Sequence, residues 1–118
     1  MDSDTAAVAR AYFDAWTTGK GAEMMRPLLD EGFRFDAGMH VIEGREVFLA
    51  GGGWPEGSTV TMLSEAYDGD EAFQLYEAER AGQRVKIAEH LSVRGGRIVA
   101  SEIVVDGAAL SAFMGAPS

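Results

Sequence analysis

Two carboxylates in this chain sit where proton chemistry could be done. Asp36 closes the stretch Gly32-Phe33-Arg34-Phe35-Asp36-Ala37-Gly38, a short strand pattern that ends on an acid and then turns. Glu89 interrupts the row Val85, Ile87, Leu91 and Val93, which is otherwise aliphatic at a period of two. A glutamate in the middle of a core face is an anomaly. Burying it as an unpaired anion is costly, so it must be protonated or partnered. Proton transfer is the chemistry such groups suit: a dry carboxyl titrates above the ~3.9 of a free aspartate and can act as a general base or acid. Each acid also has a plainer reading. Asp36 can cap the Ala37-Gly38 turn or pair with Arg34, which period two puts on the same face. A guanidinium there lowers the carboxyl pKa and weakens the base. Glu89 can accept hydrogen bonds from Tyr12 or Tyr76, or pair with Arg34.

The other reactive side chains are fewer. Tyr12 and Trp16 lie on a helical stripe, and a buried tyrosine needs a partner for its hydroxyl. His40 follows the first strand and is placed at a pocket mouth. His90 faces away from Glu89, toward solvent or a dimer interface. Two histidines far apart and no cysteine give no metal site. Gly51-Gly52-Gly53 lacks the Lys-Ser/Thr of a phosphate loop. Its neighbour Trp54 can close over a ligand or pack on the sheet edge. No serine or cysteine nucleophile is arranged for attack.

Positioning these groups requires helices first and strands afterwards. Ser3 and Asp4 are candidate caps for a helix running to about Thr18, with Gly19 just past its end. Val8, Tyr12 and Trp16 recur at four-residue intervals beside Ala9 and Phe13. A second short helix is expected over 21–30, with Met24, Met25, Leu28 and Leu29 apolar and Pro27 near a first turn or a kink. A strand is expected over 32–36, a short helix over 44–50, and a loop over 51–57. Four strands follow as a meander over 58–67, 71–80, 84–93 and 97–105. Asp106 caps a closing helix over 107–114. The order implies an α+β domain with helices packed on one face of an antiparallel sheet.

The bulk properties set the outer limits. A chain of 118 residues that is 47% hydrophobic and 25% charged fits one domain with one core. The formal net charge of −9 argues against binding nucleic acid or an anionic membrane. The acidic start Met1-Asp2-Ser3-Asp4 is unlike a signal peptide, and no apolar run approaches a bilayer span. A cytoplasmic location is the expectation.

With these features in place the whole chain, 1–118, resembles the nuclear transport factor 2-like superfamily, and within it the SnoaL-like and ketosteroid-isomerase-like proteins. The resemblance is carried by "ARAYFDAWTTGK", "MMRPLLDEGFRFDAG", "IEGREVFLA" and "EHLSVRGGRIVASEIVVD". It implies a cystatin-like cone, in which a strongly curved antiparallel sheet wraps N-terminal helices around a central pocket. It also implies a homodimer through the outer sheet face, and no cofactor. The isomerase branch uses a strand-end aspartate as proton shuttle and a tyrosine plus a protonated acid as oxyanion hole, a pairing that serves as a standard example of a raised carboxyl pKa. Tyr12 falls seven residues before Gly19 and Asp36 seventeen after it, where that tyrosine and base are expected. Glu89 falls on the acid if the Arg94-Gly95-Gly96 turn is one residue shorter than in the isomerases. The same register turns Gln74, Tyr76, Ala78, Ser101 and Ile103 into the pocket, beside Trp16, Arg34, His40, Trp54, Ile87 and Leu91. The epoxide-hydrolase branch needs an arginine two residues before the acid, and Ile87 stands there instead.

Two functions follow. One is a binding site for a small apolar carbonyl compound, extending to a proton-shuttling isomerase or cyclase, with Asp36 as base and Tyr12 and Glu89 as donors to the enolate oxygen. The other is a non-catalytic ligand-binding or dimerisation module, in which Arg34, Asp36 and Glu89 form an ionic cluster that only shapes the cavity.

Overall fold

The structure is a computed structural model that describes residues 2–17, 21–38, 40–51 and 54–115. Thr18 and Gly19, the expected end of the first helix, lie outside the described residues. Helix α1 (Asp2–Thr17) starts ahead of both expected caps. Helix α2 (Gly21–Met25) passes into a single 3-10 turn, Arg26–Leu28, with Pro27 in its first positions, where its missing N–H costs nothing. The helix expected to reach residue 30 therefore ends five residues early. Leu29 is already extended and begins strand β1 (Leu29–Asp36).

The remaining elements are β2 (Val41–Glu43), α3 (Arg45–Ala50), β3 (Thr59–Asp68), β4 (Glu71–Arg80), β5 (Gln83–Arg94), β6 (Arg97–Val105) and α4 (Gly107–Gly115). Strand β2 was not expected; three residues carry too little alternation to read. Asp106 caps α4 by accepting the Ala109 N–H at 3.0 Å.

The six strands lie in the order β2-β1-β6-β5-β4-β3, in a sheet that curls without closing. One pairing departs from the antiparallel expectation: β1 runs parallel to β6. The chain enters the sheet at β1, lays down the whole meander on the far side, and returns with β6 beside β1.

Helix α1 buries Thr5, Ala9, Tyr12 and Ala15 against the inner face, three or four residues apart as one helical stripe requires. Strand β5 meets it with Val85, Ile87, Glu89, Leu91 and Val93, all buried. One irregularity sets the facing of β6. Ser92 pairs with Ala100 but Val93 with Ile98, so Val99 is an extra residue. Such a bulge shifts the alternation by one. It lets Ile98 and Ser101 both point inward and turns Glu102 outward, as their burial records.

Candidate functional site

The inner face converges on Glu89. Its Oε2 accepts hydrogen bonds from the Tyr12 hydroxyl at 3.1 Å and the Ser101 hydroxyl at 2.5 Å. Its Oε1 accepts from the Tyr76 hydroxyl at 2.8 Å. Three elements, α1, β4 and β6, thus each place one hydroxyl on a carboxyl carried by β5. All four residues are about 2% exposed. Among the described residues no arginine, lysine or histidine forms an ion pair with Glu89. Burial pushes the Glu89 carboxyl above the ordinary glutamate range, and the Ser101, Tyr76 and Tyr12 hydrogen bonds only partly offset it. Burial, reinforced by the Glu89 charge, raises both tyrosines well above their usual range. They stay protonated and donate.

The rest of the site is aromatic. The Trp16 ring meets Tyr76 edge-on at 5.3 Å and stacks on Trp54 at 5.3 Å and 17°. Phe13 packs against Trp16 and Tyr76, and Phe113 of α4 meets the Trp54 ring at 5.4 Å. Arg80 holds α4 down by donating to the Phe113 carbonyl at 2.8 Å. Ile87 and Leu91 flank Glu89 on β5, and Ala78, Val85 and Ile103 pack with these rings. Gln74, beside Glu89 in the β4–β5 register, donates to the Ala9 carbonyl at 3.3 Å. The sequence expectation did not include Phe113, which sits among small and apolar residues of the closing helix and offered no polar signal.

Asp36 and Arg34 lie elsewhere. Phe35 pairs with Ser101 and Asp36 with Glu102 across β1 and β6, and lateral neighbours share a face. Phe33 and Phe35 therefore take the inner face, where both rings meet Phe48, at 4.9 and 5.1 Å. Arg34 and Asp36 are left on the outer face. The Asp36 Oδ1 accepts the Gly38 N–H at 2.8 Å, closing the turn. Its Oδ2 lies 3.5 Å from Arg34, which also reaches Glu43 at 3.7 Å. This corrects two expectations. The structure does not gather Asp36 with Tyr12 and Glu89, and Arg34 is not a pocket residue. The ionic cluster of Arg34, Asp36 and Glu89 does not form, because one end of it is buried and the other two members are on the opposite face. His40 is exposed in the β1–β2 connection, outside the buried cluster.

On the outer face His90 contacts Glu71 at 2.6 Å and stacks on Phe73 at 4.7 Å. Phe73, Leu75, Ala88, His90, Glu102 and Val104 line a shallow groove there of about 440 Å³.

No family model matches the chain, and no curated protein matches it in sequence. Solved structures do. A candidate ketosteroid isomerase from Kribbella flavida superposes with a TM-score of 0.82 at 24% identity, over 89% of this chain and 79% of that one. A candidate SnoaL-like polyketide cyclase from Jannaschia sp. gives a TM-score of 0.82 at 18% identity, over 99% of this chain and 95% of that one. An LEH-like epoxide hydrolase from M. tuberculosis gives 0.76 at 13% identity, over 96% of this chain and 90% of that one. These likenesses show the fold, a curled, unclosed sheet around N-terminal helices like the cone of nuclear transport factor 2-like structures. Among the described residues no helix is long and apolar enough to cross a membrane.

Proposed function

We propose that this domain binds a small apolar carbonyl compound between the sheet and the helices, with the Glu89 cluster as the polar end of the site. The observation that supports this reading is a buried carboxyl served by three hydroxyls and no cation. Such a group is expensive to keep as a purely structural element, since apolar residues would fill the same space. Its hydroxyls are preorganised donors for an oxygen on which negative charge develops. The aromatic and aliphatic lining suits an apolar ligand.

The reaction this arrangement supports is proton exchange next to the carbonyl. Glu89 is the buried carboxyl among the described residues, so its ionised form is the group that takes the α-proton and, now neutral, returns it. Tyr12 and Tyr76 then hold the enolate oxygen. The test follows deuterium exchange at the α-carbon of 2-cyclohexenone. Wild type and Asp36→Asn should accelerate it equally, and Glu89→Gln should not. Equal rates in wild type and Glu89→Gln would remove Glu89 from the chemistry and leave the binding-module reading.

The outer face supports a homodimer. Phe73 is 45% exposed, Leu75 38% and Val104 70%, on one side of β4 and β6, the two strands that flank β5. Sedimentation should give a dimer that Val104→Glu converts to monomer; a monomeric wild type would end this part of the reading.

A further inference from the structure

We propose that Ser101 is a positioning residue of the Glu89 site: its hydroxyl turns from Glu89 to Tyr12 when Glu89 takes a proton, and so frees the Tyr12 hydrogen for the ligand's oxygen. The inference rests on the reading of Glu89 as the group that takes the α-proton, and names what that step does to the oxygen-binding end of the site.

While Glu89 is ionised, every hydroxyl hydrogen around it is in use. Tyr12 and Ser101 both donate to Oε2, at 3.1 and 2.5 Å, and Tyr76 donates to Oε1 at 2.8 Å. None of the three is then available to an enolate oxygen. A fourth contact joins Ser101 to Tyr12. Burial and the Glu89 charge raise the Tyr12 pKa, while the Ser101 hydroxyl pulls it down, as a donor to the phenol oxygen does. Three hydroxyl hydrogens cannot fill four contacts, so with Glu89 ionised the contact between Ser101 and Tyr12 goes without one.

Protonation supplies the missing hydrogen. A neutral carboxyl donates as well as accepts. Ser101 is the nearest of its hydroxyl partners. A serine oxygen accepts through its lone pairs while its own hydrogen rotates to suit another partner. With the acid's hydrogen on Ser101 Oγ, the Ser101 hydrogen turns to Tyr12 Oη, and no heavy atom need move. Oε2 now carries a hydrogen and attracts a donor less than a carboxylate oxygen does. The Tyr12 hydrogen is released. The step balances: the α C–H bond breaks, an O–H bond forms on Glu89, and the electron pair moves to the carbonyl oxygen, where Tyr12 donates. The proton returns to carbon by the reverse path. Among the described residues Tyr76 has no second hydroxyl partner, so the turn acts through Tyr12.

A ligand-free measurement reads the turn. The chain has three tyrosines, so 13C at the hydroxyl-bearing ring carbon gives three resonances, assigned with Tyr→Phe variants. As Glu89 titrates, the Tyr12 resonance should move further than that of Tyr76, because only Tyr12 also gains a donor. Ser101→Ala should level the two. Ser101→Cys, a weak donor, should fall between, and serves if the alanine variant does not fold. A Tyr12 resonance that moves no further than that of Tyr76 in wild type, or a difference that survives in Ser101→Ala, would overturn the turn.

The kinetic arm follows deuterium exchange of 2-cyclohexenone at a pH above the Glu89 titration, where a changed pKa does not enter. Ser101→Ala should lower kcat about tenfold with KM unchanged, the loss of one charge-assisted hydrogen bond made only in the transition state. Added to Tyr12→Phe it should lower kcat no further, and added to Tyr76→Phe it should cost its full amount. An unchanged kcat in Ser101→Ala, or a loss that survives in Tyr12→Phe, would overturn the positioning role. A turn seen in the spectra while Glu89→Gln leaves α-proton exchange intact would mean that the Glu89 reading, and not the turn, has failed.

Discussion

Replacing Glu89 by glutamine separates a buried acid from a buried anion. Burial raises the Glu89 carboxyl above its ordinary value. The sign follows from linkage. Below the unfolded pKa, ~4.3, the group is neutral in both states and the native state bears no charging penalty. As pH rises past that value the unfolded chain loses the proton and the folded chain keeps it. Stability falls at about 1.4 kcal/mol per pH unit until the folded pKa is passed, and is flat beyond. Glutamine does not titrate there. It also sets an NH2 against one of the three hydroxyl donors. Turned toward Tyr76, it keeps the oxygen for Tyr12 and Ser101 and loses one hydrogen bond, about 1 kcal/mol. Urea unfolding of both proteins from pH 4 to pH 8 is the assay. The wild-type minus variant difference removes the other acids, which Glu89→Gln leaves in place. That difference should favour wild type by about 1 kcal/mol at pH 4 and then decline with the stated slope. A difference that grows with pH, reaching about 3–5 kcal/mol in favour of wild type at pH 7, would mean that the hydroxyls stabilise a carboxylate, and would refute the reasoning.

Ser101→Ala removes a hydrogen bond that holds the Glu89 pKa down, so the pH at which that decline levels off should rise in the same titration. Phe113→Ala empties a fully buried position of α4 and should cost about 3–5 kcal/mol in urea unfolding, which a solvent-frayed helix would not show. Ala81 has a φ of 51° and Gly82 a φ of 80°, the two-residue hairpin geometry that favours Asn-Gly. Ala81→Asn should therefore raise stability by about 0.5–1 kcal/mol, and a loss would show that the turn is not held in that form.

What was legible in the sequence was periodic. Helix α1, the meander and the burial of Glu89 all rest on apolar residues recurring at fixed spacing, and each is where the pattern put it. The failures are places where parity was set by something other than a pattern. The residues Leu29, Asp30 and Glu31 carry helical and extended preferences alike, and Pro27 decided between them by confining the helix to one 3-10 turn. In β1 the alternation of Phe33, Arg34, Phe35 and Asp36 was plain, yet counting from Gly19 placed the acid inside. The aromatic residues took the inner face against Phe48, and a strand cannot bury both sets. The polar set was left to pair with itself.

The same parity argument bears on what the site can do. A shuttle of the isomerase kind uses one carboxylate to move the proton and a second, protonated, to hold the oxygen. Here the second is present and ringed by hydroxyls, while the first is turned outward and tied to Arg34 and the Gly38 N–H. To bring Asp36 inside, β1 would need one more residue between Phe35 and the turn, or a bulge like that at Val99 on β6. Neither is present. Under the proposed function, proton transfer therefore falls to Glu89 itself, a single acid whose burial raises its pKa and whose tyrosines keep it from being isolated. On that proposal binding and oxygen stabilisation go to Tyr12 and Tyr76, while the contacts of Asp36 with Arg34 and the Gly38 N–H hold the end of β1.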